Sequence, residues 1–346
     1  MNNKTTDTDI MVSIFCLAYN HEKYIRKALE SFVQQKTDFK FEVLVHDDAS
    51  TDATASIIRE YESKYPNIIR PVYQTENQYS KHISNLPTYL LPIARGKYVA
   101  WCEGDDYWTD DQKLRIQVDT MENNPTCAAC ISKVERVTED GKPLGKFLPG
   151  TLKGNKLMSG DDFIRFLLDP GIVTVFPLQL SGFMTKRVLY EEYISNPPSF
   201  RPAFHLNAGD MPLMLYTGTH GDVYYIDRVM SHYRTGNSQS FEGKHYYDNK
   251  ASAVYLRGKA GGYRAFDEYS EYRFHDACSR AVKNAEFKAL LREHDLKKLK
   301  SEEFRQLFES RSIRSRFMQY LLYCCPALEK PKRKLKWYLT NHGIIK

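Results

Sequence analysis

Apolar and polar residues follow two alternating periods over the first 125 positions. Residues 11–18, MVSIFCLA, form a short apolar run rich in β-forming residues, the pattern of a buried strand. In the next stretch, YNHEKYIRKALESFVQQ, Ile25, Ala28, Leu29, Phe32 and Val33 fall at i, i+3, i+4, i+7 and i+8, which predicts one face of a helix. Asn20 stands at the N-cap position and Glu22 in the first turn. FEVLVHDD, residues 41–48, predicts a second strand ending in two carboxylates. A helix from Ala53 to about Tyr65 follows, capped by Ser50 or Thr51 and stopped by Pro66. IIRPVYQ, residues 68–74, reads as an edge strand because Pro71 has no N–H to donate to a ladder. Residues 80–95 predict a helix broken near Pro87 and Pro92, KYVAWCE (97–103) a fourth strand, and 113–122 a helix.

Strand and helix in turn predict a parallel α/β sheet, and such sheets bind ligands at the carboxyl ends of their strands. Polar clusters fall at those ends: Tyr19 and Asn20 after the first strand, Asp47 and Asp48 after the second, Glu103 to Asp106 after the fourth. Beyond residue 125 the pattern loosens. Short strands are expected at 128–138, 178–184 and 222–227, and short helices at 161–168 and 210–216. The Gly- and Lys-rich segment 141–160 reads as a mobile loop, and from about residue 246 the pattern is helical. The expected organisation is one domain over 1–245, with a nucleotide-binding half at about 10–125 and an acceptor half at about 126–245. A helical, basic extension at 246–346 follows.

Charge sharpens this division. The chain has 346 residues and a net charge of +6, but residues 311–346 hold nine of its 49 Lys/Arg and one of its 43 acidic residues. The remaining 310 residues are near neutral at −2, so a nucleic-acid-binding face on the body is not expected. The seven cysteines form no disulfide framework, and Cys127 and Cys130 make a CxxC with no second pair at zinc spacing. The polar start, MNNKTTDTDI, has no apolar signal region, and no stretch reaches the roughly 20 apolar residues of a membrane span. The expectation is a cytoplasmic protein with reduced thiols, peripheral on the inner face of the plasma membrane if it meets membrane at all. Phe317, Tyr320, Leu321, Cys324 and Leu328 share a helix face ahead of the basic EKPKRKLKWYL, a combination suited to an anionic lipid surface.

The sharpest chemical signal is AWCEGDDYW, residues 100–108. Glu103, Asp105 and Asp106 crowd together after a strand expected to be buried. Like charges raise one another's pKa, and burying them is costly unless a cation joins them. Oxygen-only ligands favour Mg²⁺ or Mn²⁺, which are commonly held by one or two carboxylates while water and phosphate oxygens complete the shell. Turn chemistry accounts for Ser50, Thr51 and Asp52 but not for both Asp47 and Asp48. A receiver-type phosphorylation site would need an Asp closing the next core strand, where the chain has Gln74 and Thr75.

VSIFCLAYNHEKYIRKALESFVQQ, FEVLVHDDASTDAT, ARGKYVAWCEGDDYW and KLRIQVD together resemble a family 2 glycosyltransferase of the GT-A fold. That fold is a Rossmann-like mixed, mainly parallel sheet flanked by helices, here with a helical C-terminal extension. The resemblance spans the N-terminal 125 residues and continues more weakly to about residue 240. It implies that Ala18, Tyr19, Asn20, Asp47 and Asp48 bind the base and ribose of a nucleotide sugar, usually a uridine one. EGDDYW would be the DXD motif, with Asp106 as main metal ligand and Asp105 at the ribose or the metal. Glu103 stands where many relatives have Asp. HLNAGDMPLMLYTGTHG matches the segment that supplies the base of inverting transfer, with Asp210 in that role and Gly209 where relatives often have Glu. RVMSHYRTGNSQS matches a segment that closes over the donor, where Arg234 or His232 would contact the diphosphate and Gly236 replaces a frequent histidine. Residues 179–182 would line the acceptor side.

The resulting expectation is a metal-dependent inverting transferase. It would use Mn²⁺ or Mg²⁺, a nucleotide diphosphate sugar such as a UDP-hexose or UDP-N-acetylhexosamine, and a glycan or lipid-linked glycan acceptor. A nucleotidyltransferase acting on sugar phosphates would show a Gly-rich phosphate loop, which LAYNHEKY lacks. A non-catalytic glycan-binding module would have no need of Asp105, Asp106 and Asp210 together.

Overall fold

The computed structural model describes residues 10–168, 178–204, 210–235 and 248–328. A single mixed sheet organises the chain. Its N-terminal half is parallel: β1 (Ile10–Ala18) lies between β2 (Lys40–Asp47) and β4 (Tyr98–Trp101), and β3 (Ile69–Tyr73) forms the outer edge. Pro71 sits in that edge strand, paired with Val45, where a missing N–H faces outward at no cost. Beyond β4 the sheet continues through β9 (Phe183–Lys186), β6 (Cys127–Val137), β10 (Asp222–Arg234) and the short β5 (Tyr107–Trp108). β9 is antiparallel to both neighbours, whereas β6 and β10 run parallel to each other.

Helices cover both faces. On one, α1 (Ile25–Val33), α2 (Thr54–Lys64) and α3 (Lys113–Asn123) close a core with Ile25, Ala28, Leu29 and Phe32 fully buried. The helical period of 20–34 places these apolar positions where predicted. On the other face lie α4 (Gly160–Leu168), α5 (Arg187–Ser195) and α6 (Asp210–Thr219). The long helices α7 (Asn249–Tyr269) and α8 (His275–Glu293) share their core: Tyr255, Tyr263, Phe266, Ala277 and Ala289 join the cluster that contains Trp101, Phe183 and Tyr190. The first part of the C-terminal extension therefore packs on the same apolar core as the sheet. α9 (Leu296–Leu299), α10 (Arg305–Glu309) and α11 (Ile313–Cys324) follow, around a small separate core of Phe287, Leu290, Phe304 and Phe308.

Local expectations differ from the structure at four places. Residues 141–160 contain two strands, β7 (Pro143–Leu148) on β6 and β8 (Lys156–Met158) on β10. Their pairing partners are distant in sequence, so composition alone suggests a loop. Residues 80–95 fold as consecutive short turns, because Pro87 and Pro92 each remove a helical donor. Residues 180–182 form a turn, and the strand begins at Phe183. The expected helix caps also act elsewhere. Asn20 Oδ1 accepts from Thr51 N at 2.8 Å, and Ser50 Oγ accepts from Asn20 N at 2.9 Å. These side chains stitch the β1 and β2 loops together, while Asp52 Oδ1 accepts from Thr54 N at the start of α2.

Candidate active site

Three strand ends meet at one edge of the sheet. Ala18 closes β1 opposite Asp47, and Asp48 N donates to Ala18 O at 2.9 Å. Asn20 takes a left-handed conformation, φ 55°, which asparagine tolerates well, and Tyr19 beside it is 45% exposed. The two predicted carboxylates of β2 separate in role. Both oxygens of Asp48 accept backbone N–H groups, from Gln78 at 2.7 Å and Tyr79 at 3.0 Å, so this carboxylate pins the loop after β3. Asp47 is equally buried, but its Oδ1 has no hydrogen-bond partner within the protein. A buried acceptor left open at a strand end suits a ligand N–H.

The acidic turn follows β4. Cys102 N and Gly104 N donate to Phe15 O and Leu17 O, carrying the pairing with β1 to the turn itself. A Cβ at Gly104 would lie 2.8 Å from His21 Nδ1 and 3.1 Å from Leu17 O, so a larger residue here would have to displace the His21 ring. Asp106 is buried, and its Oδ1 accepts from Arg234 N at 2.9 Å. Burial and the neighbouring Asp105 hold its carboxyl well above the usual range, and the Arg234 bond offsets this only in part. Glu103 is pushed up to about 8 by burial, then by Asp105 and Asp210. Among the described residues no three His, Cys, Asp or Glu side chains close a metal shell by themselves. A hard cation needs only one or two protein carboxylates, and the crowded oxygens of this turn fit that donor set.

Asp210 opens α6 across the site and is pushed up to about 6 by burial, with Lys259 acting in the opposite sense. The structure therefore brings together the two acidic elements that sequence places more than 100 residues apart: Asp210 raises the pKa of Glu103. Lys259 of α7 is buried and lowered to about 8 by its burial, which Asp210 opposes. Burial raises the pKa of the Tyr190, Tyr193 and Tyr255 hydroxyls, and the nearby Asp210 charge adds to the shift. Sequence reasoning missed Lys259 and these tyrosines, since no local motif links α5, α6 and α7.

Arg234 ends β10 with its guanidinium 5.1 Å from the Tyr24 ring centre and 4.9 Å from that of Tyr107. Its Nη1 donates to Glu139 O at 2.9 Å. Cation–π contacts of this kind hold a charge in place without neutralising it. Tyr107 is also bonded through its hydroxyl to His232 Nδ1 at 2.8 Å, and the His232 pKa is lowered by burial. Arg234 thus bonds the acidic turn through its backbone, whereas the His232 ring is engaged by Tyr107 and Glu135. Gly209 and Gly236 lie outside the described residues, as does EKPKRKLKWYL. Gln179 lies at the edge of the turn Leu180–Gly182, whose Gly182 O accepts from Gln117 Nε2 at 3.0 Å.

A parallel N-terminal half with acidic strand ends, extended by a mixed half that delivers Asp210, defines a fold of the GT-A type. Residues 13–176 match the model of glycosyl transferase family 2. This part of the chain is a family 2 glycosyltransferase domain. An uncharacterized protein of Mycobacterium tuberculosis is 45% identical over 138 residues, 40% of this chain and 39% of that protein. The UDP-Glc:alpha-D-GlcNAc-diphosphoundecaprenol beta-1,3-glucosyltransferase WfaP of Escherichia coli is 34% identical over 112 residues, 32% of this chain and 41% of WfaP. The matches thus span about two fifths of these relatives' own length. Among solved structures, S. aureus TarS 1–349 in complex with UDP-GlcNAc shares the fold with a TM-score of 0.53 at 15% identity, covering 83% of this chain and 92% of that one.

Proposed function

We propose that the protein is a metal-dependent inverting glycosyltransferase. It moves a hexose or N-acetylhexosamine from a UDP-sugar to a hydroxyl of a cell-surface glycan or its lipid-linked precursor. The observation that carries this reading is that Asp210, from α6, lies near enough to the acidic turn for its charge to act on Glu103. The choice of UDP and of a lipid-linked acceptor rests on the activity that WfaP's name states, and TarS shares the fold with UDP-GlcNAc bound.

The residues divide the work. Asp47 Oδ1 and the β1 end receive the base and ribose. Asp106, with Asp105, holds Mn²⁺ or Mg²⁺, which when bound screens the charge of the diphosphate. Arg234, held in place between two aromatic rings, adds positive charge on the same side. Asp210 accepts the proton of the acceptor hydroxyl as that oxygen attacks the anomeric carbon. The bond from that carbon to the diphosphate breaks, and the nucleoside diphosphate leaves with inversion. A base raised to about 6 is ionised at neutral pH yet more basic than an ordinary carboxylate, which suits this transfer. Lys259 stabilises the ionised base from behind.

A panel of nucleotide sugars, incubated with Mn²⁺ or Mg²⁺ and assayed for nucleoside diphosphate release, tests the reading. Release from a UDP-sugar that stops with EDTA is expected. Failure of every nucleotide sugar to bind or react would refute it.

A further inference from the structure

α11 presents an apolar stripe to solvent. Ile313, Phe317, Tyr320 and Cys324 recur at i, i+4, i+7 and i+11, so they share one face. Ile313 is 77% exposed and Phe317 64%, while Tyr323 flanks them at 58%. The opposite face is the one that packs: Leu322 and Gln319 are buried, and Gln319 Oε1 pairs with His294 Nδ1 at 3.0 Å. Tyr320 anchors one margin, its ring 6.2 Å from Phe308 and beneath Lys300 Nζ at 4.5 Å. The helix is therefore fixed to the body by one side while its aromatic side stays open. Contiguous apolar side chains facing water mark a candidate interaction surface.

Charge decides which partner fits. Arg314 lies exposed beside the stripe. The sequence from 329 to 346 adds six Lys/Arg against one acidic residue, together with Trp337, Tyr338 and Leu339. Residues 1–310 carry −2, so a second copy offers no matching excess of negative charge. Aromatic and aliphatic side chains flanked by Lys and Arg match the boundary between acyl chains and anionic headgroups. We propose that the exposed face of α11, with the basic segment after it, docks this protein on an anionic lipid surface. Ile313 and Phe317 enter the headgroup boundary, while Arg314 meets the phosphates. The inference is independent of the transferase reading and would stand if that reading failed.

The test is co-sedimentation of the full chain with vesicles of phosphatidylcholine alone and of phosphatidylcholine mixed with phosphatidylglycerol. The wild-type protein is expected on the anionic vesicles and to leave them at high salt. Ile313→Glu/Phe317→Glu should bind roughly tenfold or more weakly, with an unchanged melting curve because both residues point away from the packed face. Should that variant misfold, Lys332→Glu/Arg333→Glu/Lys334→Glu carries the same test with no change to the helix. Equal binding to neutral vesicles, no binding to anionic ones, or unchanged binding by the folded variants would overturn the proposal. So would a wild-type dimer that the double substitution converts to monomer without any vesicle binding, since the stripe would then serve a second copy.

Discussion

Asp106 Oδ1 accepts a hydrogen bond of 2.9 Å from the backbone N–H of Arg234. This bond ties the acidic turn after β4 to the last residue of β10, 128 positions later. It fixes the carboxylate without neutralising it, since a backbone donor carries no formal charge. Asp106→Asn keeps an acceptor for that bond and removes the charge. Transfer should then fall by about 10²–10⁴, the range for losing several kcal/mol of charge stabilisation. Thermal stability at neutral pH should hold or rise, because a buried carboxyl whose ionisation is disfavoured by burial and Asp105 is replaced by a neutral amide. Rates and melting curves of the same preparation check both halves.

The pH dependence should follow Asp210. The base must be ionised to act, and its folded pKa is about 6. The rate should therefore rise through about pH 6 and level off above it. Lys259 lowers that pKa, so Lys259→Met should move the rising limb to higher pH. Asp210→Asn should abolish the limb and lower the rate by about 10²–10⁴. For stability the sign is opposite. A carboxyl raised above its ordinary value is carried at least cost when protonated, so this group's contribution declines as pH rises from about 4 through 6. Rate profiles and melting curves across that window read the two effects separately.

Asp47 and Asp48 should separate in substitution. Asp47→Asn should raise the KM for the donor about tenfold with little change in unfolding, since Asp47 Oδ1 has no protein partner. Asp48→Ala strands the N–H groups of Gln78 and Tyr79, which should cost about 2–4 kcal/mol of stability. Urea unfolding beside steady-state kinetics distinguishes these outcomes.

Glu42 supports the fold away from the site. Its fully buried carboxylate accepts from Ser13 Oγ at 2.7 Å, Arg95 N at 2.8 Å, Arg95 Nε at 2.9 Å and Arg70 Nη1 at 2.5 Å. Burial alone would raise its pKa, but these bonds outweigh it and the net shift is downward. A lowered carboxyl stabilises the fold above its ordinary pKa and loses that contribution as pH falls below about 4.5. Glu42→Gln should cost about 3 kcal/mol at pH 7 and less near pH 3, as unfolding at the two pH values would show.

The strand ends were legible because each carries its own local signal. An apolar run followed by Asp47 and Asp48, or by Glu103 to Asp106, places acidic groups at a sheet edge from short-range pattern alone. The site's cross-links were not legible. Asn20 resembles a helix cap, yet its side chain bonds Thr51, 31 residues away. Lys259 reaches Asp210 from a helix that reads as a separate extension, because its apolar face and the sheet's are complementary only in three dimensions. β7 and β8 escaped for the same reason, since strand pairing is non-local and the 141–160 composition resembles a loop. Arg234 was legible as a candidate, but its aromatic clamp depends on Tyr24 and Tyr107 from distant segments.

The most direct test is calorimetric titration of UDP into the protein with Mn²⁺ and then with EDTA, repeated on Asp106→Asn. Binding with Mn²⁺ that weakens at least tenfold with EDTA, and equally in the variant, is the predicted result. Equal UDP affinity in all of these conditions, or no binding by the wild-type protein with Mn²⁺, would contradict a donor site built on the acidic turn.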